Sequence, residues 1–376
     1  MWRSVEIGNF SRDSRNKNMS KTTMQAERVT EVAAVRRMDR SRRPVFVMGC
    51  HRSGTNLLYD TLLSAGGFAI YRGYAPIYKM LIPRFGSPHN RANRTRLVET
   101  WLRSKGYRRS GLRAKEIKAK LLDGCHSGGD FIRIIMNEIA RNQNAHRWAI
   151  YDPDNVLYVP QVKADLPEAL FIHIIRDGRD VALSLKKMEG FKPLPWNIAS
   201  SRDLLATAAY WDWMVRKGQA HGRKIPEDYI EIRYEDLVTK PHETLATLSR
   251  FLDHDLNYDR IQKAGLGRLR ETNSSFREEA VRSPIRPMER WKQRLTPEQV
   301  AGLESLVGDC LQEFGYALTT APEKRIRGLR QRWINVFYPA LLESKLWLKT
   351  RTPLGRFADL SVLELSDEVS ETSVAQ

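Results

Sequence analysis

A short apolar run that passes through a glycine-bounded loop directly into a helix constrains this chain more than any other feature. Pro44-Val45-Phe46-Val47-Met48-Gly49 is the pattern of a strand buried on both faces of a parallel sheet. Gly49-Cys50-His51-Arg52-Ser53-Gly54-Thr55-Asn56 follows it. From Thr55 to Ala65, Leu57, Leu58, Leu62 and Leu63 fall on one helical face, and Gly66-Gly67 ends the pattern. Strand, G-x-x-x-x-G loop and helix in this order predict a P-loop-like unit. In such a unit, backbone N–H groups and the positive end of the helix converge on one concavity. A phosphate or sulfate group is its natural occupant; a plain helix start is the alternative. The lysine of nucleotide-hydrolase loops is absent, because Thr55 stands after the second glycine. Arg52 is the fixed cation of this loop, with Ser53, Gly54, Thr55 and Asn56 offering hydroxyl, amide and backbone donors.

The remaining pattern repeats strand and helix. Arg147 to Tyr151 is a second strand candidate, broken by Asp152-Pro153, and Ala169 to Ile175 is a third, running into Arg176-Asp177-Gly178. Tyr229 to Tyr234 is a fourth. Helices are expected from Arg179 to about Glu189, Ser201 to about His221, Pro241 to Leu252, and from Thr296-Pro297 to about Phe314-Gly315. The alternation predicts an α/β fold, a P-loop-like parallel sheet with helices on both faces. At 376 residues and 41% hydrophobic content, one large domain over residues 44–318 is expected. A flexible basic tail precedes it at 1–43, and a C-terminal extension follows at 319–376. In that extension, Lys324 to Phe357 interleaves cations with Trp333, Val336, Phe337, Leu341, Leu342, Leu346 and Trp347. This is the pattern of a basic amphipathic helix that packs on the domain or lies on an anionic membrane, the first being favoured.

The net charge of +18 is local rather than diffuse. Residues 1–43 hold 11 Lys/Arg against 5 Asp/Glu, and residues 84–120 hold 12 against 2. The second stretch reads as a basic insertion facing an anionic partner, or as a solvated surface. Cys50, Cys125 and Cys310 form no CxxC pair and no metal-ligand cluster, so neither a disulfide framework nor a metal is expected. A polar N-terminus and the lack of any apolar run near the ~20 residues of a membrane span predict a soluble, cytoplasmic protein with at most peripheral membrane contact.

A second constellation lies at the end of the third strand, where ligands gather in open parallel sheets. Arg176 begins Arg176-Asp177-Gly178-Arg179-Asp180-Val181-Ala182-Leu183-Ser184, and Ser184 sits about two turns into the following helix. A guanidinium and a hydroxyl make a receptor for a second phosphate, although Arg176 could instead pair with Asp180. Arg52 to Leu58, the Arg176 and Ser184 pair, Arg233-Tyr234-Glu235-Asp236-Leu237, and Trp291 to Leu295 occur in this order. Together they resemble the superfamily of sulfotransferases that use 3′-phosphoadenosine 5′-phosphosulfate (PAPS), nearer to its bacterial and tyrosylprotein-type branch than to the cytosolic steroid and phenol enzymes. The resemblance covers about residues 44–318. It implies that the first loop holds the 5′-phosphosulfate, with Arg52 stabilising charge on the bridging oxygen. It also implies that Arg176 and Ser184 hold the 3′-phosphate, that Tyr234 lies beside the adenine, and that Arg282 belongs to a segment closing over the cofactor. Tyr234 could equally be an ordinary half-buried strand residue.

Three departures from that family bear on catalysis. His51 and Asn56 replace the loop's usual Pro and second Thr. Tyr71-Arg72-Gly73-Tyr74 stands where the tyrosylprotein branch has its general-base Glu, and Tyr151-Asp152-Pro153 stands where it has Lys-x-Pro. An acceptor hydroxyl still has to lose a proton. Asp152, at a strand end, is the first candidate base, although Asp-Pro-Asp-Asn also suits a helix N-cap. Asp154 and His126 are the other candidates, and His173 reads as structural. The activity that the resemblance implies is sulfuryl transfer from PAPS to an acceptor hydroxyl, the basic insertion pointing to an anionic acceptor, with no metal and no specific nucleic acid expected. A P-loop kinase or NTPase, and an inactive anion-binding scaffold, are the alternatives.

Overall fold

The structure, a computed structural model, describes residues 39–188, 203–264, 288–325, 328–367 and 369. Five parallel strands form one sheet in the order β2-β3-β1-β4-β5: β1 Val45–Met48, β2 Phe68–Ala69, β3 Arg147–Tyr151, β4 Leu170–Ile175 and β5 Tyr229–Arg233. β1 is central, pairing Val45 with Ala149 on one side and with Leu170 on the other. The chain builds the β2–β3 half first, then crosses β1 to build β4 and β5. The loops leaving β1, β3, β4 and β5 therefore open on one edge of the sheet, around the point where strand order reverses.

Alternation along each strand decides which layer each side chain enters. Val45, Val47, Ala149, Ile172 and Ile174 face a layer with α1 (Thr55–Ser64). Phe46, Met48, Trp148 and Phe171 face the opposite layer. Both faces are covered, which explains why β1 and β4 read as unbroken apolar runs. Along the chain come α2 (Arg91–Leu102), α3 (Ala114–Gly124) and α4 (Gly128–Asn142), then α5 (Gly178–Lys186) and α6 (Leu204–Gly222). After β5 come α7 (Tyr234–Thr239), α8 (Pro241–Leu252), α9 (Pro297–Glu313) and α10 (Leu329–Arg351). Short helical turns join them. The Thr296 and Gln299 capping box expected from sequence starts α9.

Several expectations need adjusting. Of the tail expected at 1–43, residues 1–38 lie outside the described residues, and Arg40–Arg42 form a 3-10 turn in which Arg40 donates to the carbonyls of Phe251 and Glu227. The two-residue strand β2 gave no usable periodicity. Tyr234 is not a strand residue but opens α7, directly after β5. Asp152 does cap a helix: its side chain accepts the Asp154 N–H at 3.0 Å at the start of the 3-10 turn Pro153–Leu157. The basic 84–120 stretch is built into the fold. It folds into α2, a short turn and the start of α3, docked through the buried Leu97, Trp101, Tyr107 and Ile117. Many of its cations have partners within the fold. The largely buried Arg94 donates to the Cys125 carbonyl at 3.1 Å, Lys105 pairs with Glu364 at 2.7 Å, and Arg108 donates to the Arg103 and Glu364 carbonyls.

Candidate functional site

The loop after β1 is held open by glycine. Gly54 has φ +99°, and a Cβ placed there would lie 2.4 Å from the Tyr234 ring; a Cβ on Gly49 would lie 2.3 Å from the Ile174 carbonyl oxygen. Neither position admits a larger residue without moving β4 or Tyr234. Arg52 itself is left-handed, at φ +73°, a conformation that a non-glycine residue adopts only when its surroundings impose it. Gly54 is the N-cap of α1 and brings no side chain to it, so no side chain at the cap competes for the first-turn N–H groups. The Ser53 hydroxyl is fully buried and has no hydrogen-bond partner. A buried orphan hydroxyl in a glycine cradle at a helix start is what an anion-binding loop leaves for its ligand.

Arg52 and the β4 end meet in one place. Arg52 Nε donates to Ser184 Oγ at 2.8 Å, and Arg176 donates to the Arg52 carbonyl at 3.3 Å. The Arg176 guanidinium also stacks on the Tyr234 ring at 4.6 Å and pairs with Asp180 at 3.1 Å. The ion pair considered from sequence is therefore present, together with the position on the loop. The two expected receptors form one continuous cluster rather than separate sites. Burial lowers the tendency of Arg52 to hold its proton, and the charges of Arg176 and Arg290 lower it further. Guanidiniums that destabilise one another beside an unpartnered buried hydroxyl are suited to a polyanion.

Arg290 is a residue the sequence reading passed over. Its neighbour Trp291 donates its backbone N–H to Asp180 at 3.0 Å, which seats the segment against α5. The Trp291 ring lies 3.8 Å from the guanidinium of Arg179, itself tied to Asp177 at 2.8 Å and Glu304 at 2.6 Å. The two arginines of Arg-Asp-Gly-Arg-Asp thus divide the work: Arg176 faces the loop, and Arg179 anchors the segment that brings Arg290. The Trp291 motif was the available signal. Arg282 lies outside the described residues.

The β3 end supplies carboxylates. Asp152 and Asp154 are both buried beside the loop. Burial pushes Asp154 upward, but Lys79 and His51 outweigh it and hold Asp154 well below the usual carboxylate range. His51 Nε2 lies 3.2 Å from Asp154, and Lys79 forms an ion pair with the same carboxylate. Asp152 moves the other way: burial raises it first, and the Asp154 charge raises it further. Two adjacent carboxyls pushed apart in this way can take different protonation roles. His51, a departure from the family pattern, here joins the phosphate-type loop to the carboxylate pair. Lys79 was also missed, although it is the lone charge in the run Ala75 to Pro83. A cavity of about 30 Å³ opens beside Asp152, lined by Tyr71, Tyr74, Tyr78, Lys79 and Met136. His126 is not at this site; it contacts Arg94 at 3.0 Å. His173 is structural, its Nδ1 lying 2.6 Å from the Tyr229 hydroxyl inside the core.

The sequence pattern of the sulfotransferase family matches residues 44–258, more than half of the chain. The chain belongs to that family. Two relatives carry the name "Putative protein-tyrosine sulfotransferase". One, from Caenorhabditis elegans, is 28% identical over 33% of this chain and 47% of its own length. The other, from Caenorhabditis briggsae, is 26% identical over 56% of this chain and 65% of its own length. The chain therefore spans from about half to just under two thirds of these relatives. The sulfotransferase domain of the Synechococcus PCC 7002 olefin synthase is similar over 73% of this chain and 95% of that domain, with 16% identity and a TM-score of 0.45. In this sulfotransferase-family chain, the matched segment begins at the strand before the loop and ends after α8, and so contains Arg52, Asp152, Arg176, Ser184 and Tyr234.

Proposed function

We propose that the protein transfers a sulfuryl group from PAPS to an acceptor hydroxyl and releases 3′-phosphoadenosine 5′-phosphate (PAP). The observation that carries this reading is the convergence of Arg52, Arg176 and Arg290 on a glycine loop whose Ser53 hydroxyl is buried without a partner. The residues fit a doubly phosphorylated nucleotide. Ser53, Gly54, Thr55, Asn56 and the first turn of α1 would hold its 5′-phosphosulfate, Arg176 and Ser184 its 3′-phosphate, and Tyr234 its base. PAPS supplies an activated sulfuryl group bonded to a nucleotide phosphate. The acceptor oxygen forms a bond to sulfur as the bond from sulfur to the phosphate oxygen breaks. Arg52 and the loop amides stabilise the negative charge that collects on the departing phosphate.

Asp152 takes the acceptor's proton. Its raised proton affinity makes it a better base than an ordinary surface carboxylate, and Asp154 stays ionised beside it under the hold of Lys79 and His51. The cavity next to Asp152 receives the acceptor's hydroxyl end, and four tyrosines, Tyr71, Tyr74, Tyr78 and Tyr151, line it with aromatic faces. An anionic acceptor would meet Lys79, which lines the cavity while paired with Asp154, whereas Arg94, Lys105 and Arg108 of the 84–120 insertion are engaged elsewhere in the fold. Cys50, Cys125 and Cys310 are buried free thiols, which suits a reducing compartment such as the cytoplasm.

The test is transfer of label from [35S]PAPS across a panel of glycans, lipids, peptides and phenols, with calorimetry of PAP binding run in parallel. PAP binding and a labelled product are expected. Failure to bind PAP would refute the cofactor assignment, whereas binding without turnover would favour an inactive scaffold.

A further inference from the structure

The core leaves one kind of surface uncovered. Among the described residues, every exposed large apolar side chain belongs to the stretch from Trp333 to Val369. The inner stripe of α10 is accounted for: Ile334, Tyr338 and Leu342 are buried, and the helix packs on α6 and α9. On the outer stripe, Trp333, Val336, Phe337, Trp347 and Leu348 recur at the spacing of a single helical face. Trp333 is 53% exposed, Val336 76% and Trp347 58%. Trp333 and Phe337 stack on one another with centroids 4.5 Å apart, toward solvent. The apolar surface continues past the helix through Leu354 and Phe357. A helix that is apolar on both faces calls for cover on both.

Charge identifies the cover. From Lys324 to Ala358 there are nine Lys/Arg and one acidic residue, Glu343. Glu343 is already engaged, with Lys217 and the Trp213 indole N–H each at 2.7 Å. Lys345, Arg351 and Arg356 are exposed among the apolar positions, and the Arg356 guanidinium lies 4.9 Å from the Phe357 ring centroid. Tryptophans near both ends of an apolar stripe, with cations beside them, suit a helix lying in the headgroup layer of an anionic bilayer. A second copy of this chain is a poorer match, because its own excess of +18 would bring cations against cations. No helix among the described residues is long and apolar enough to cross a membrane, so the contact would be peripheral.

We propose that the outer face of α10 and the turns after it bind an anionic membrane surface, with the helix lying flat in the interface. One end of this surface packs near the proposed acceptor cavity. The Pro83 carbonyl oxygen lies 2.7 Å from where a Gly355 Cβ would stand, and Arg84 donates to the Arg356 carbonyl, so the turn after α10 packs on the segment that follows Lys79. The proposal does not depend on the chemistry at that cavity.

The test is sedimentation of the full chain with phosphatidylcholine vesicles that contain or lack about 30% phosphatidylglycerol, at low and high salt. Binding to the anionic vesicles should exceed binding to neutral ones by about tenfold or more and weaken with salt. W333S/W347S/F357S should lose about tenfold or more of that binding while keeping the wild-type melting temperature, since all three side chains are exposed. K345E/R351E, which leaves the apolar stripe intact, should lose the preference for anionic vesicles. Absence of binding to anionic vesicles, or wild-type binding by both folded variants, would overturn the proposal. A dimer seen by sedimentation velocity and abolished by the triple variant, without vesicle binding, would assign the face to a second copy instead.

Discussion

Replacing Asp152 by Asn separates its cap role from its proposed role as base, because stability and turnover should then move apart. The carboxylate accepts the Asp154 N–H at 3.0 Å, and an Asn side-chain oxygen can accept the same bond. Burial and the charge of Asp154 both disfavour ionised Asp152, so a neutral amide relieves a repulsion that the wild type carries at neutral pH. Asp152→Asn should therefore be as stable as the wild type or more so, by up to about 1 kcal/mol. Its turnover should nevertheless fall by about 10²–10⁴, the usual contribution of a positioned base. A group whose folded pKa is raised becomes a base only as pH rises through that value. The wild-type rate should thus show an acid limb above the ordinary carboxylate range, and the variant should lack it. The assays are urea unfolding and PAP release from PAPS across pH. Asp152→Ala is the control, since losing the cap as well should cost about 1 kcal/mol of stability. Full turnover by the Asn variant would refute Asp152 as the base. A loss of stability and activity together in that variant would reduce Asp152 to a structural cap.

Arg176→Ala should weaken PAP binding by about tenfold to a hundredfold, the effect of one charge-assisted contact, and weaken adenosine 5′-phosphate binding much less. Calorimetry giving equal affinities of the wild type for both nucleotides would contradict a 3′-phosphate receptor at Arg176 and Ser184. Lys79→Met removes a charge that lowers Asp152, so the acid limb of the pH–rate profile should move to higher pH; an unmoved limb would disconnect Lys79 from the base. Glu304→Ala leaves the buried Arg179 with the Asp177 carboxylate and removes the acceptor of the Thr319 and Thr320 N–H groups, so it should cost about 1–3 kcal/mol by thermal or urea unfolding. If that variant unfolds like the wild type, the α5–α9 network does not hold the Arg290 segment.

The parts of this protein that could be read from its sequence are those whose cause is local. The β1 run, the glycines at 49 and 54 and the leucine face of α1 specify strand, loop and helix within about twenty residues, and the structure builds that unit with the loop at the reading edge of the sheet. The Thr296 capping box and the Asp152 N-cap are local for the same reason. In both Asp152 and Arg176, the structural alternative is present and leaves the proposed role open. Asp152 caps a turn and sits beside the loop, and Arg176 pairs with Asp180 while contacting Arg52. A structural partner fixes the orientation that a functional role requires, so such a partner is no argument against the role.

What could not be read depends on contacts between distant segments. His51 looked like a lost proline until the fold brought it to Asp154, 103 positions away. Lys79 was hidden because an isolated lysine in an apolar run has no meaning until the facing carboxylate is known. The basic insertion shows the same limit for charge. A count of cations says that anions are needed but not where they are. Here several of them lie within the chain itself, as the Glu364 carboxylate on Lys105, the Glu99 carboxylate on Lys118 and the Glu138 carboxylate on Lys120. A cation satisfied by its own fold contributes field but no open contact, and the search for an anionic partner then moves to where cations and uncovered apolar surface coincide. In this chain that coincidence falls on the outer face of α10 and the turn at Arg356 and Phe357.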